Sequence, residues 1–227
     1  MTYDSAKDPR LLLAEKVIDS LQENFRQKLP IRLEISKPDL QKVLSGAKSA
    51  IMTVKYSYQA PSDLAKDENV LKLVTLGQRL LEQILPTKTP ETPSNLALSR
   101  IEWSLRFLAK LAEYLQDDIG TVGRCVDVKV ARIQNVRPIQ KSKGALVVSQ
   151  VHDGERALMV VTNLIHVKVG MHLAIAMVPP SEVGGVISEA MFVTDNVRPE
   201  PIGSILNEKE LNLGPIEDIL REYLTKH

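Results

Sequence analysis

One cysteine, Cys125, in 227 residues excludes an internal disulfide framework and any zinc site built from several thiolates. No apolar run approaches the roughly 20 residues of a membrane-spanning helix. The longest, Leu11 to Ala14, Ala157 to Val161 and Leu173 to Pro180, are far shorter. Met1 to Arg10 has an early acidic residue and no apolar stretch before a small-residue cleavage site, so no secretory signal is expected. Neither sign of charge dominates. The 29 Lys and Arg against 28 Asp and Glu exclude a chain coated in positive charge for bulk nucleic-acid condensation. Histidines 152, 166, 172 and 227 lack the i, i+4 zinc spacing, and no Gly-x-x-x-x-Gly-Lys phosphate loop is present. No metal and no cofactor are therefore expected. What remains is a soluble, cytoplasmic chain long enough to bury its own core, as one large domain or two small ones.

The hydrophobic period divides the chain. From Asp8 to about residue 118 it is helical. Asp8-Pro9 sets a cap before a proline at the first helical position. Leu11, Ala14, Ile18, Leu21, Phe25 and Leu29 follow at three- and four-residue steps until Pro30. Ser36-Lys37-Pro38-Asp39 starts a second helix carrying Leu40, Val43, Ala47, Ile51, Val54 and Tyr58, and Pro61-Ser62-Asp63 breaks it. A third runs from about Asp67 to Leu85 with Val70, Leu73, Gly77, Leu80, Leu81 and Ile84 on its stripe. After the loop from Pro86 to Pro93, a fourth runs from Ser94 or Asn95 to Leu115. Four amphipathic helices with short loops predict a bundle over 1–119. Trp103 lies off the stripe of Ile101, Leu105 and Leu108, which leaves it to pack on another helix, on the second domain or on a partner chain.

Beyond Gly120 the period becomes two. Cys125 to Ile133 alternates Val126, Val128 and Val130 with Asp127, Lys129 and Ala131. Leu146 to Val151, Ala157 to Thr162, Met171 to Val178 and Val186 to Thr194 read as four further strands, with Asp153-Gly154 as a hairpin signal. Five short strands predict a small barrel of the OB type over 120–197, and Pro215 opens a short helix in an extension over 198–227. The fold class is α+β.

The charge is uneven. Net charge is +1 over 1–120, +2 over 121–197 and −2 over 198–227. Residues 124–143 hold six cations (Arg124, Lys129, Arg132, Arg137, Lys141 and Lys143) against the single anion Asp127. Lys129 and Arg132 are placed on or near the non-core face of the first strand, and Arg137, Lys141 and Lys143 in the connection to the second. Such cations contact phosphates and gain from counterion release; the competing reading is a solvated basic loop. Phe192 is the only aromatic residue in 121–197, so a stacking surface for single strands is excluded, although His152, His166 and His172 partly substitute. Recognition of a folded RNA by shape and backbone suits this composition better.

Enzymatic readings find little support. His152-Asp153 with Glu155 sets a histidine beside carboxylates, but at a hairpin turn without an activated nucleophile. Cys125 beside Arg124 reads as a buried residue rather than a tuned thiolate.

Five segments occur in the order of a known family. They are Val126-Asp-Val-Lys-Val-Ala-Arg-Ile133, Lys143-Gly-Ala-Leu-Val-Val148, Gly154-Glu155-Arg156, Met159-Val-Val-Thr-Asn-Leu164 and Val183-Gly-Gly-Val-Ile-Ser-Glu-Ala-Met191. Together they resemble the OB-fold tRNA-binding domain found in the cytokine-like polypeptide of the multisynthetase complex. The same domain ends some methionyl-tRNA synthetases and occurs in the β subunit of bacterial phenylalanyl-tRNA synthetase. The whole chain is similar to stand-alone archaeal tRNA-binding-domain proteins. Departures stand at Ala131 and Ala190, where the family has glycine, and at Gly184, where it has arginine. The resemblance implies non-catalytic binding of tRNA or a tRNA-like RNA. It places Ser188, Glu189 and Met191 at the barrel mouth. There Ser188 either bonds a nucleotide or makes a strand turn, and Met191 either shapes a pocket or fills the core. Asn163 either bonds a base edge or makes the turn after the third strand. The alternative function is a protein-interaction scaffold with vestigial RNA contact, a homodimer or a docking module for an aminoacyl-tRNA synthetase. No membrane partner is expected.

Overall fold

Asp8, Ser36, Asp67 and Asn95 each cap a helix by accepting a backbone N–H from its first turn, from Arg10, Asp39, Asn69 and Leu98 respectively. The helices they start are α1 (Pro9–Asn24), α2 (Lys37–Lys55), α4 (Glu68–Ile84) and α5 (Leu96–Ala109); short helices α3 (Pro61–Leu64) and α6 (Leu111–Tyr114) lie between and after them. The computed structural model describes residues 3–87, 92–116, 121–139, 145–206 and 211–225. The chain forms two compact units, Met1–Cys125 and Val126–His227.

In the first unit α1 packs between α2 and α5, and α4 packs on both α2 and α5. Leu11, Leu13, Ala14, Val17, Ile18 and Leu21 are fully buried, so α1 is covered on more than one side. It ends at Asn24, short of the predicted Leu29. The Asn24 amide donates to the Ser20 carbonyl (2.7 Å) and so competes with the backbone for it. The predicted fourth helix is broken at Lys110, which leaves helical backbone geometry between α5 and α6. Trp103 is buried and stacks on Phe107 one turn later, with centroids 6.0 Å apart. Lys48 and Lys55 on α2 both bind Glu15 on α1, and Lys48 also binds Asp19. Burial alone would raise the Glu15 carboxyl. The hydrogen bonds from Lys55 and Lys48 outweigh it and hold Glu15 below the usual range.

The second unit is a nearly closed five-stranded antiparallel barrel. Its strands are β1 (Val128–Pro138), β2 (Val147–His152), β3 (Ala157–Thr162), β4 (His172–Ala176) and β7 (Met191–Phe192), ordered β3-β2-β1-β4-β7. A separate hairpin, β5 (Ser181–Val183) and β6 (Val186–Ser188), turns at Gly184 and Gly185. Both have positive φ (60° and 78°), as a two-residue primed turn requires. The fifth strand expected over Val186 to Thr194 is thus split into β6 and β7. Ala131, Ile133, Val151, Leu158, Val160, Leu173, Ile175 and Phe192 fill the barrel. Helix α7 (Gly214–Thr225) follows, with Ile216 and Leu220 buried. Among the described residues no helix is long and apolar enough to cross a membrane.

Beyond the end of β2, the flank of β1 is occupied by 203–206. Gly203 N–H donates to the Val130 carbonyl (2.8 Å), Val130 N–H to Ser204 (3.0 Å) and Leu206 N–H to Val128 (2.9 Å). This segment passes the β2–β3 turn where Gly154 and Gly203 meet. A Cβ on Gly154 would lie 3.1 Å from the Gly203 Cα, and both residues have positive φ. Neither position admits a larger residue without strain.

Candidate functional site

Antiparallel partners directly opposite one another share a face of the sheet. Arg132 is opposite His152 on β2 and His172 on β4, while its neighbours Ala131 and Ile133 belong to the barrel core. Arg132 therefore projects outward, and it is exposed. A bulge then inserts one residue between Ile133 and Asn135. Without it, Arg137 would share the inward face of Ile133. With it, Arg137 is opposite Val148 and joins Arg132 on the outer face. No bulge occurs at Ala131, which sits in register opposite Leu173.

The outer face of β4, β1, β2 and β3 thus carries three successive rows, the first of which reaches β4. The first runs His172, Arg132, His152 and Ala157; the second Asn135, Gln150 and Met159; the third Arg137, Val148 and Val161. None of these residues is a carboxylate. Neither Arg132 nor Arg137 has an ion pair or hydrogen bond to a side chain among the described residues. The two arginine rows lie four residue steps apart along β2, from His152 to Val148, about 13 Å at roughly 3.3 Å per residue. Lys141 and Lys143 lie outside the described residues.

Lys129 is placed otherwise than the sequence suggests. It is opposite Ile175 and so has the parity of the core face, at the end of the barrel. Its Nζ lies 3.6 Å from Asp153 Oδ2 and 3.9 Å from Glu155 Oε2, with the side chain 14% exposed. The valine side of the alternation misleads because it is buried too: Val128 and Val130 lie under cover on the opposite face. Asp153 is itself buried and builds the turn, accepting N–H groups from Glu155 (3.0 Å) and Arg156 (2.8 Å). Burial would raise its carboxyl; those backbone bonds, with the charges of Lys129 and Arg156, keep it below the usual range.

Ser188 and Glu189 form a seam. Val161 N–H donates to Ser188 Oγ (2.9 Å), whose own proton goes to the Ala190 carbonyl (3.0 Å). Glu189 N–H donates to the Met159 carbonyl (2.8 Å), and Met159 N–H to Glu189 Oε2 (3.2 Å). Side chains here replace the ladder that would otherwise join β3 to the last strands. Ser188→Ala is expected to cost about 1–3 kcal/mol, the penalty for stranding a part-buried N–H. A chemical-denaturation midpoint equal to wild type would refute this structural role.

Met191 is half-buried and has the parity opposite to Phe192, so it is outside the barrel core. Asn163 is exposed just past β3. The side-chain bond of that turn comes from Thr162, whose hydroxyl accepts the Leu164 N–H (3.1 Å). The structure therefore brings Arg132 and Arg137 to one surface, adds His152, His172, Asn135 and Gln150 to it, and engages Lys129, Ser188 and Glu189 in internal contacts. As phosphate-facing partners of Arg132 the two histidines are not evident from composition or spacing. Their alignment with Arg132 follows from strand register, which sequence alone does not supply.

Residues 1–116 match the family model described as an alpha helical domain. A crystal structure of the CsaA chaperone protein from Picrophilus torridus is similar over 36% of this chain and 92% of that chain, at 14% identity and a TM-score of 0.32. No curated protein matches the chain.

Proposed function

The chain belongs to the alpha helical domain family through residues 1–116, and we propose that the barrel unit following that region binds tRNA or a tRNA-shaped RNA without acting on it chemically. The observation that carries this reading is the outer sheet face, where Arg132 and Arg137 stand free of described carboxylates amid amides and imidazoles. Cations held on a rigid sheet suit a phosphate contour. The sparsity of aromatic residues argues for backbone recognition over base stacking. The order of the motifs from Val126 to Met191 supplies the RNA class.

Filter binding with tRNA at 50 and 200 mM salt tests the proposal. Two arginine contacts alone predict roughly tenfold weaker binding at the higher salt. Arg132→Glu with Arg137→Glu should abolish most of the affinity at both concentrations. Absence of binding at 50 mM, or affinity indifferent to salt, would overturn it.

A second reading, a protein-docking or self-associating barrel that pairs with a synthetase or with its own copy, is favoured by one observation. Ile165, Val169 and Val197 are 64%, 63% and 61% exposed in loops that the His166–Asp195 contact (3.5 Å) draws together. Light scattering on Ile165→Asp with Val169→Asp separates the two: a dimer that becomes a monomer while tRNA affinity is unchanged assigns this end to protein.

A further inference from the structure

We propose that Arg132, His152 and His172 form a single phosphate seat on the outer sheet face. As a refinement of the RNA-binding reading, it rests on that reading. Arg132 is directly opposite a histidine on each side, His152 on β2 and His172 on β4. Opposed residues place their Cβ atoms roughly 4.5–5.5 Å apart. Three nitrogen-bearing side chains therefore stand in line across three adjacent strands, with the arginine at the centre. Because β1 is the middle strand of the sheet, Arg132 is paired on both sides, at the terminal pair of each ladder and just before the bulge that follows Ile133.

The donor chemistry is aligned as well. His152 Nδ1 accepts the Gly154 N–H (3.1 Å), so a neutral ring carries its proton on Nε2 and offers that nitrogen as a donor. The arginine fork supplies paired N–H groups matched to two phosphate oxygens. Nearby acids are occupied elsewhere. Asp153 serves its own turn and, with Glu155, Lys129; Glu189 serves the barrel seam, Asp195 His166, and Glu200 Arg198. Arg132 has no described ion-pair partner, which leaves its charge for a ligand.

The test compares wild type, Arg132→Gln, Arg132→Lys and His172→Gln in tRNA titrations across 50–200 mM salt, alongside inorganic phosphate followed through the histidine NMR signals. Loss of one phosphate contact should lower the salt slope by about 1 and weaken binding several-fold at 50 mM. Arg132→Lys, which retains charge without the fork, should restore the slope but only part of the affinity. His172→Gln should weaken binding with a smaller change in slope. Wild type that binds tRNA beside an Arg132→Gln variant with unaltered slope overturns the seat and leaves the broader reading to Arg137 and its neighbours. Wild type that fails to bind tRNA overturns both. Phosphate that shifts His152 and His172 while tRNA binding ignores Arg132 would mark a small-anion site and also overturn the assignment. Arg132 is exposed, so unchanged denaturation midpoints are expected and exclude misfolding as the cause.

Discussion

Arg10→Ala is expected to remove about 3–5 kcal/mol from the helical unit, the usual cost of leaving one member of a buried ion pair alone. Both side chains of the Arg10–Asp8 pair are 0% exposed. The guanidinium meets Asp8 through Nε (3.0 Å) and Nη2 (2.8 Å) and donates through Nη1 to the Tyr114 carbonyl (2.6 Å) at the end of α6. Asp8 also caps α1 and accepts the Tyr3 hydroxyl (2.6 Å). One side chain thus ties the start of α1 to the end of α6. Without it, a carboxylate is left in the interior. Urea unfolding followed by circular dichroism would read the loss. Arg10→Lys, which keeps the charge but cannot reach all these acceptors, should fall between. The exposed Lys7–Asp4 pair serves as the control, and Lys7→Ala should leave the midpoint unmoved. A wild-type midpoint for Arg10→Ala would sink the argument.

The same cluster sets an alkaline limit. Burial, then the bond to Asp8 and its charge, push the Tyr3 phenol up to about 12. The folded state therefore resists its ionisation. That contribution is fully present below the ordinary tyrosine value of about 10 and is lost as pH rises toward about 12. Stability measured from pH 9 to 12 should decline more steeply in wild type than in Tyr3→Phe; parallel curves would contradict this.

Gly77→Ala should destabilise the same unit by about 1–3 kcal/mol, although alanine is the better helix former by about 1 kcal/mol. A Cβ at Gly77 would lie 2.7 Å from both Ala109 N and Leu105 O and 3.1 Å from Leu108 Cβ. The first two are backbone atoms of α5 or its end, so relief demands that α4 and α5 separate. Gly46 makes the comparison clean, because a Cβ there meets nothing within 4 Å. Gly46→Ala should stabilise, with propensity acting alone. If both substitutions stabilise, the close approach of the two helices is not what excludes a side chain.

The helical half was the more legible. Each long helix begins at a capping residue visible in the chain, Asp8, Ser36, Asp67 or Asn95. Caps act locally, and local signals survive in sequence. The end of α1 was not legible, because it depends on Asn24 turning back on Ser20. In the barrel, strand positions were readable but faces were not. Alternating valines mark an inward face only when the other face is wet, and in β1 both are covered as far as Val130. The bulge after Ile133 then reverses parity, and nothing in Gln134-Asn135 announces it. Hence Arg137 reaches the outer surface and Lys129 turns toward Asp153. Ser188 and Glu189 were conspicuous in the motif, but their contacts come from β3, remote in the chain.

The pairing of Gly203, Ser204 and Leu206 with β1 also bears on colloidal behaviour. A bare strand margin offers donors and acceptors to any neighbouring polypeptide and is a common start of ordered aggregation. Here the chain shields that margin with its own later residues, threaded past a close contact of two glycines that both hold positive φ. Cutting the protein just before Gly203 would thus create a sticky border as well as remove a tail, and the shortened product should precipitate at concentrations the intact chain tolerates.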